Sequence, residues 1–307
     1  MNWDQLRFFL ELSRCRTLVA AAARLGVNQT TVSRRIQALE KQLGLPLFTR
    51  QYGHYSLTEE GQRLLPRAEQ IETSFLGIEQ VSRKDSQVSG TVRIGATEGH
   101  GTVILAPLLA ELTQSHPHLR VDLLAVPRIV NLSRREADIV VTLERPSRGP
   151  YIMTRLTDYA LGLYASPAYL KNHPPIHCKE DLIHHTFISY IDDLLFSKEL
   201  RYLSDLCSPD QVALRSTSIL AQQQAAIHGA GLAMLPLFIA QEHPGLVPIL
   251  PHEVKLIRTF WMVMPSDVKD LSRMRLTWDF LRASAERAQS RLLGLTSPKS
   301  AAATQRW

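Results

Sequence analysis

The segment from Thr17 to Leu43 admits few folds. Thr17 can cap a helix from Leu18 to Leu25, and its run Ala20-Ala21-Ala22-Ala23 favours helix and lets a neighbouring helix approach closely. Gly26 stands where a left-handed residue stops a helix, and Asn28 can cap the next one, from Gln29 to about Leu43. Two capped helices joined by Gly26-Val27-Asn28 have the spacing of a helix-turn-helix. Upstream, Asn2-Trp3-Asp4-Gln5 has the spacing of a capping box. Leu6, Phe9 and Leu10 then recur at i, i+3, i+4, which predicts a further amphipathic helix in front of the pair.

The last of these helices is two-faced. At about 100° per residue, Val32, Ile36, Leu39 and Leu43 fall within about 60° of one another and form a buried stripe. Thr30, Arg34, Gln37 and Lys41 fall opposite, with Thr31 and Ser33 on the flanks. Apolar on one side and rich in donors and cations on the other, it has the chemistry of a helix that enters the major groove of double-stranded DNA. Gln29, Thr30, Thr31, Ser33, Arg34, Arg35 and Gln37 are the candidate contacts. Downstream, two short extended runs around Gly53 read as a hairpin, or wing. Arg50 at its base can meet a phosphate. His54 at the tip either does the same when protonated or is a neutral exposed histidine.

Charge supports this reading. The first 58 residues hold eight basic and three acidic residues, so this fifth of the chain carries nearly all of the net +6. A positive head on a near-neutral body suits a nucleic-acid partner. Cys15, Cys178 and Cys207 have no CxxC spacing, as expected in a reducing compartment. No apolar run is long enough to span a membrane, and Met1-Asn2-Trp3-Asp4 does not open a secretory signal, so a cytoplasmic protein is expected. There is no GxSxG, HExxH or GxxxxGK motif. The expectation is therefore no catalytic residue, no metal site and no cofactor.

The run Ala21-Ala22-Ala23-Arg24-Leu25-Gly26-Val27-Asn28-Gln29-Thr30-Thr31-Val32-Ser33-Arg34-Arg35-Ile36 is long and specific. With Leu39-Glu40, Leu43-Gly44, Leu47-Phe48, Arg50, Leu57-Thr58 and Gly61, it closely resembles the LysR-type transcriptional regulators. Two positions depart from the family's habit. Thr30 stands where Pro or a small residue is common, and Gly53 where the wing often has arginine.

After the head at 1–58, Thr58-Glu59-Glu60 provides a cap and two acids at a helix start. Leu64, Ala68, Ile71, Phe75 and Ile78 then recur with spacing 4, 3, 4, 3, a heptad seam. A helix from Glu59 to about Lys84 would be roughly 39 Å long. The seam calls for a second copy of the chain or for packing against the chain's own body. The resemblance implies a homodimer through this helix, commonly a dimer of dimers, and RNA polymerase as a possible further partner. Residues 59–89 are thus read as linker helix and hinge.

From Thr91 strands and helices alternate, the pattern of a parallel α/β sheet. Strands are predicted at Thr91–Ala96, Leu119–Val126, Asp138–Leu143, Ala160–Tyr164, Thr186–Tyr190, Gln211–Leu214, Leu232–Leu235 and Trp261–Met264. Helices are predicted at Val103–Leu112, near Asn131–Glu136, near Pro167–Asn172, at Ser218–His228 and at Leu271–Leu293. The resemblance implies that 90–293 form a two-lobed, periplasmic-binding-protein-like effector domain, with the chain crossing between lobes near Tyr159 and Pro265. Arg134-Arg135-Glu136-Ala137-Asp138-Ile139, Leu163-Tyr164-Ala165-Ser166-Pro167 and Gly229-Ala230-Gly231-Leu232-Ala233 also look like the family's. The predicted fold class is α/β, led by an all-α-dominated winged helix-turn-helix.

Ligands of α/β sheets sit at strand C-termini and helix N-termini. Thr97, Glu98, Gly99, His100 and Thr102, at one such junction, are candidate contacts for a small-molecule effector. Thr217 and Ser218 form a second junction, which the resemblance also places facing the effector. Glu98 is either an exposed loop glutamate or, if it faces the cleft, a sign that the ligand carries an amine or hydroxyl rather than a bare carboxylate. Arg128 either meets an acidic group across the cleft or is solvated. Residues 294–307, small and polar, are expected to be a disordered tail.

Overall fold

A computed structural model of the chain describes residues 2–81, 88–132, 135–147, 149–206, 211–241 and 243–295, with the backbone alone for 73, 76–81, 204 and 205. The expected tail therefore lies outside the described residues, apart from Gly294 and Leu295. The chain divides into two compact units: Met1–Gln87 with Asn131–Glu136, and Val88–Val130 with Ala137–Trp307.

In the first unit the local signals act as read. Helix α1 (Trp3–Cys15) begins with the Asn2/Gln5 capping box. Helix α2 (Leu18–Leu25) is capped by the Thr17 side chain and ends on Gly26 at φ 67°. Helix α3 (Gln29–Leu43) starts at Asn28, whose Oδ1 accepts from Thr31 N and both threonine hydroxyls, and stops at Gly44 with φ 70°. Each cap is worth about 1 kcal/mol. Beneath them Phe9, Leu10, Leu12, Val32 and Leu39 are fully buried, each large apolar side chain contributing about 2 kcal/mol.

Strands β1 (Phe48–Gln51) and β2 (His54–Leu57) form an antiparallel hairpin. Its turn residues Tyr52 and Gly53 both have positive φ, 49° and 82°, the twist-matched geometry of a two-residue hairpin loop. Tyr55 N donates to Arg16 O across 2.7 Å, pinning the wing to the end of α1. Glu40 Oε1 accepts from Leu47 N and Phe48 N, fixing the chain as it turns into β1. Helix α4 (Glu59–Val81) follows, carrying Pro66 in its interior.

The second unit is built on one sheet of order β4-β3-β5-β11-β6-β9-β7-β8, with β10 against β6. The strands are β3 (Gly90–Thr97), β4 (Leu119–Val126), β5 (Ile139–Thr142), β6 (Tyr151–Ala165), β7 (Thr186–Ser189), β8 (Gln211–Arg215), β9 (Leu232–Pro236), β10 (Val247–Ile249) and β11 (Lys255–Pro265). Strands β3, β4 and β5 run parallel to one another in one lobe, and β7, β8 and β9 do so in the other. The antiparallel pair β6 and β11 runs through both.

Here the structure corrects several expectations. The strands expected at Ala160–Tyr164 and Trp261–Met264 are the far halves of β6 and β11. The second crossing lies not near Pro265 but at the register shift between Phe260 and Trp261, because Trp261–Val263 already pair with β5. The helix expected near Asn131–Glu136 is a turn at its described positions, with Arg135 held at φ 47°. The helix expected from Val103 starts earlier, at Glu98–His100, and passes through a π-helical turn at Gly101–Leu105 into Ala106–Ser115.

Candidate functional site

The head's polar face is on α3. Gln29, Thr30, Arg34, Gln37 and Lys41 are exposed, Thr31 and Ser33 half-buried, while Val32, Ile36 and Leu39 are buried on the opposite side. Arg35 turns away from this face. Its guanidinium lies 3.5 Å from Asp4 and 5.9 Å from the Phe8 ring, so it braces α3 against α1. On the wing, Arg50 is exposed and lies over the Tyr55 ring, and His54 is exposed at the start of β2. Tyr52, which sequence reasoning passed over, is fully exposed at the tip. A positive φ in a non-glycine residue marks such a site only after the turn is assigned.

The seam of α4 is not one surface. Ala68 is completely buried in the head's own core and Leu64 packs against it. They close a core that three short helices leave open on one side, Ala68 wholly and Leu64 in part. Ile71 and Phe75 are exposed, and Phe75 stacks on Trp3 with ring centroids 5.1 Å apart. The Ile78 side chain lies outside the described residues.

In the second unit the C-terminal ends of the strands converge on a cavity. Thr97 ends β3, Pro127 follows β4, Leu143 follows β5, Tyr190 follows β7 and Pro236 ends β9, and all five line it. This is where an open α/β sheet offers a ligand the space beyond its strand ends. From the second junction, Thr217 and Ile219 contribute. Most of the rest is aromatic. Tyr159 on β6 stacks on Phe260 of β11 with centroids 4.2 Å apart, and Phe238 meets Tyr159 edge-on. The centre of a water-sized sphere has about 40 Å³ to move in, so the unoccupied space is small.

The sequence-predicted effector residues divide. Thr97, Glu98, Gly99, His100 and Thr217 line the cavity. Gly99 is closely enclosed: a Cβ there would lie 2.7 Å from Ile239 Cδ1 and 2.9 Å from Ile219 Cγ2, so those side chains would have to shift. His100 is buried against Phe260, ring centroids 4.2 Å apart, and burial holds its pKa down at about 3, so the imidazole is neutral at pH 7. Burial likewise pushes the Tyr159, Tyr190 and Tyr202 phenols upward. Ser218 does not line the cavity. It caps the helix Ile219–Ile227 and donates to Glu98 Oε1 at 3.0 Å. Thr102 is exposed and is not among the residues that line this cavity: one turn past Glu98 it lies about 6 Å further along the helix axis. Arg128 lines an adjoining cavity with Glu144 and Ser197, sharing Thr97 with the first. Its Nη1 donates to Ile129 O. The aromatic residues Tyr159, Phe238 and Phe260 were not singled out in the sequence, since apolar residues within strands and helices read as core.

Comparison with known proteins covers both parts of the chain. Residues 3–62 match the family model of the bacterial regulatory helix-turn-helix protein, lysR family, and residues 85–286 match that of the LysR substrate binding domain. The chain belongs to the LysR family of transcriptional regulators. A LysR-type regulator carries a helix-turn-helix DNA-binding domain and an effector-binding domain, and this one has both. Among its relatives is the Mau operon transcriptional activator of Paracoccus denitrificans, 28% identical over 280 residues, covering 91% of this chain and 95% of that protein. Another is the HTH-type transcriptional regulator HdfR of Yersinia pestis, 30% identical over 288 residues, covering 90% and 95%. A full-length OxyR variant from Pseudomonas aeruginosa shares the LysR fold with a TM-score of 0.69 at 18% identity, covering 95% of this chain and 99% of that one. CrgA of Neisseria meningitidis does so with 0.56 at 24%, covering 93% and 99%. Among the described residues, no helix is long and apolar enough to cross a membrane.

Proposed function

We propose that α3 enters the major groove of an operator and reads base edges through Gln29, Thr30, Ser33, Arg34 and Gln37, while Arg50 and His54 on the wing meet phosphates. The observation that carries this reading is the exposed polar stripe of α3 behind a fully buried apolar one. Arg binds guanine and Gln binds adenine bidentately in that groove. Thr31 flanks the stripe and Arg35 braces it. Two copies joined through the Ile71 and Phe75 side of α4 present two heads to two half-sites, as a homodimer or a pair of dimers. A small-molecule effector occupies the cavity at Thr97, Glu98, Gly99, His100 and Thr217 and alters DNA binding or the engagement of RNA polymerase. The protein acts in the cytoplasm, without a metal or other cofactor.

The test is fluorescence anisotropy of the DNA flanking the protein's own gene, beside a scrambled duplex, at two salt concentrations. Specific reading appears as tighter binding to the flanking DNA at both salts. Phosphate contacts appear as a fall in affinity with salt on both duplexes. Equal binding to the two duplexes by a well-folded protein at both salts would overturn the reading for this DNA.

A further inference from the structure

The charge of the cavity narrows what can fill it. Among the residues that line it, Glu98 is the one acid and there is no lysine or arginine. His100 adds no charge, because it is buried and neutral. Arg128 belongs to the adjoining cavity, beside Glu144. Ser218 satisfies one oxygen of Glu98, whereas Oε2 is buried and has no hydrogen-bond donor among the described residues. An acceptor left in that condition costs about 1–3 kcal/mol, and more when charged, unless a ligand supplies the donor.

The rings around it are those a cation prefers. Tyr159, Phe260, Phe238, Tyr190, Tyr202 and Phe196 contribute to the wall, and an ammonium near an aromatic face gains about 0.5–2 kcal/mol. A carboxylate ligand would meet Glu98 with no lysine or arginine among the lining residues, and Arg258, which acts on Tyr159 and Tyr202, is paired with Glu199, so the ligand meets a cost in repulsion and desolvation. The free space is of the order of three waters, taking roughly 10–15 Å³ for each, so the occupant has few heavy atoms. Thr97 and Thr217, also among the lining residues, carry hydroxyl oxygens able to accept from the remaining N–H donors of a primary ammonium.

Resting on the reading of this cavity as the effector site, we infer that the effector is a small alkylammonium, its nitrogen on Glu98 and its chain among the aromatic rings.

The test uses the full-length protein and three probes of similar size: propylammonium chloride, 1-propanol and sodium propionate, at matched ionic strength. Binding is read as a saturable rise in melting temperature and by titration calorimetry. Propylammonium is expected to bind more tightly than 1-propanol, and propionate not at all. Glu98→Gln keeps an oxygen for Ser218 and is expected to weaken propylammonium by about tenfold without changing the response to 1-propanol. Phe260→Leu serves where Glu98→Gln melts early: it is expected to weaken propylammonium more than 1-propanol. Propionate or 1-propanol binding as tightly as propylammonium would overturn the inference and leave the cavity as the effector site. Propylammonium binding unaltered by both substitutions would place it elsewhere and overturn the inference too. If none of the three binds, both the inference and the reading it rests on fall.

Discussion

Arg14 of α1 and Glu72 of α4 form a two-pronged ion pair, Nη1 to Oε1 at 3.0 Å and Nη2 to Oε2 at 2.6 Å, with both side chains largely buried. Burial opposes the charged form of Glu72, but the hydrogen bond and charge of Arg14 outweigh it and hold the carboxyl below the usual range. Glu72→Gln leaves the buried Arg14 guanidinium with Glu11 at 3.2 Å as its remaining ion-pair partner, removes a charge that Arg135 also meets, and is expected to destabilise the head by about 3 kcal/mol. The sign with pH follows from the lowered folded value. The unfolded chain binds the proton more readily, so the contribution is complete above about pH 5 and fades as pH falls through the ordinary glutamate value of about 4.3 and below. Urea unfolding of wild type and variant across this range should show the gap closing towards low pH.

Arg34 and Arg35 are neighbours in sequence with different employment. Arg34→Ala is expected to cost about 1–3 kcal/mol of operator binding and to relax base preference at one position, with the melting temperature unchanged. Arg35→Ala loses the contacts to Asp4 and Phe8 and should lower the melting temperature of the head instead. Anisotropy on single-base operator variants, beside thermal unfolding, separates the two.

The wing should act through phosphates. Arg50→Ala is expected to lower the dependence of binding on salt by about one unit of log–log slope while leaving the preference for operator over scrambled DNA intact. Gly53→Val puts a β-branched residue at φ 82°, where a left-handed backbone costs about 1–2 kcal/mol, and should weaken both duplexes alike. A salt titration of each variant decides.

His100 has a folded pKa of about 3 against 6.5 when free. Since the unfolded state takes up the proton first, stability drains away as pH falls from about 6.5 towards 3. His100→Phe keeps a ring against Phe260 and removes a buried Nδ1 that has no partner among the described residues. The variant should be as stable as wild type at pH 7, and melting curves from pH 7 to pH 4 should show it losing less.

Phe75 is 38% exposed although it stacks on Trp3. Phe75→Asp puts a charge on the face of α4 assigned to the second copy and should raise the dimer dissociation constant by more than tenfold, an effect of about 1.4 kcal/mol or more. Sedimentation velocity over a concentration series reads it directly. A Leu64→Ala variant should instead lose head stability.

The legible parts of the molecule are those set by local chemistry. Thr17, Gly26, Asn28 and Gly44 fix the helix ends with one side chain or one dihedral each, and the period of Val32, Ile36 and Leu39 fixes the buried face. What escaped depends on distant partners. Eight basic residues in the head read as a DNA-facing charge, yet Arg14 and Arg24 are spent on Glu11 and Glu72, and Arg35 on Asp4. The heptad of α4 could not say that Leu64 and Ala68 serve the head itself. In the cavity, residues Thr97 to His100 were legible from a strand-to-helix junction. Its aromatic wall was not, because Tyr159, Phe238 and Phe260 meet only when β6, β11 and the helix after β9 are brought together.

The unbroken course of β6 and β11 through both lobes bears on how such a chain can be inherited or rebuilt. A lobe excised on its own would take half of each strand and lose the continuity that the β6–β11 ladder gives it. Exchange between homologues is therefore tolerable at the loops around the cavity or ahead of Gly90. A seam between the lobes is closed to it, so the residues that line the cavity can change while the two strands pass on as a pair.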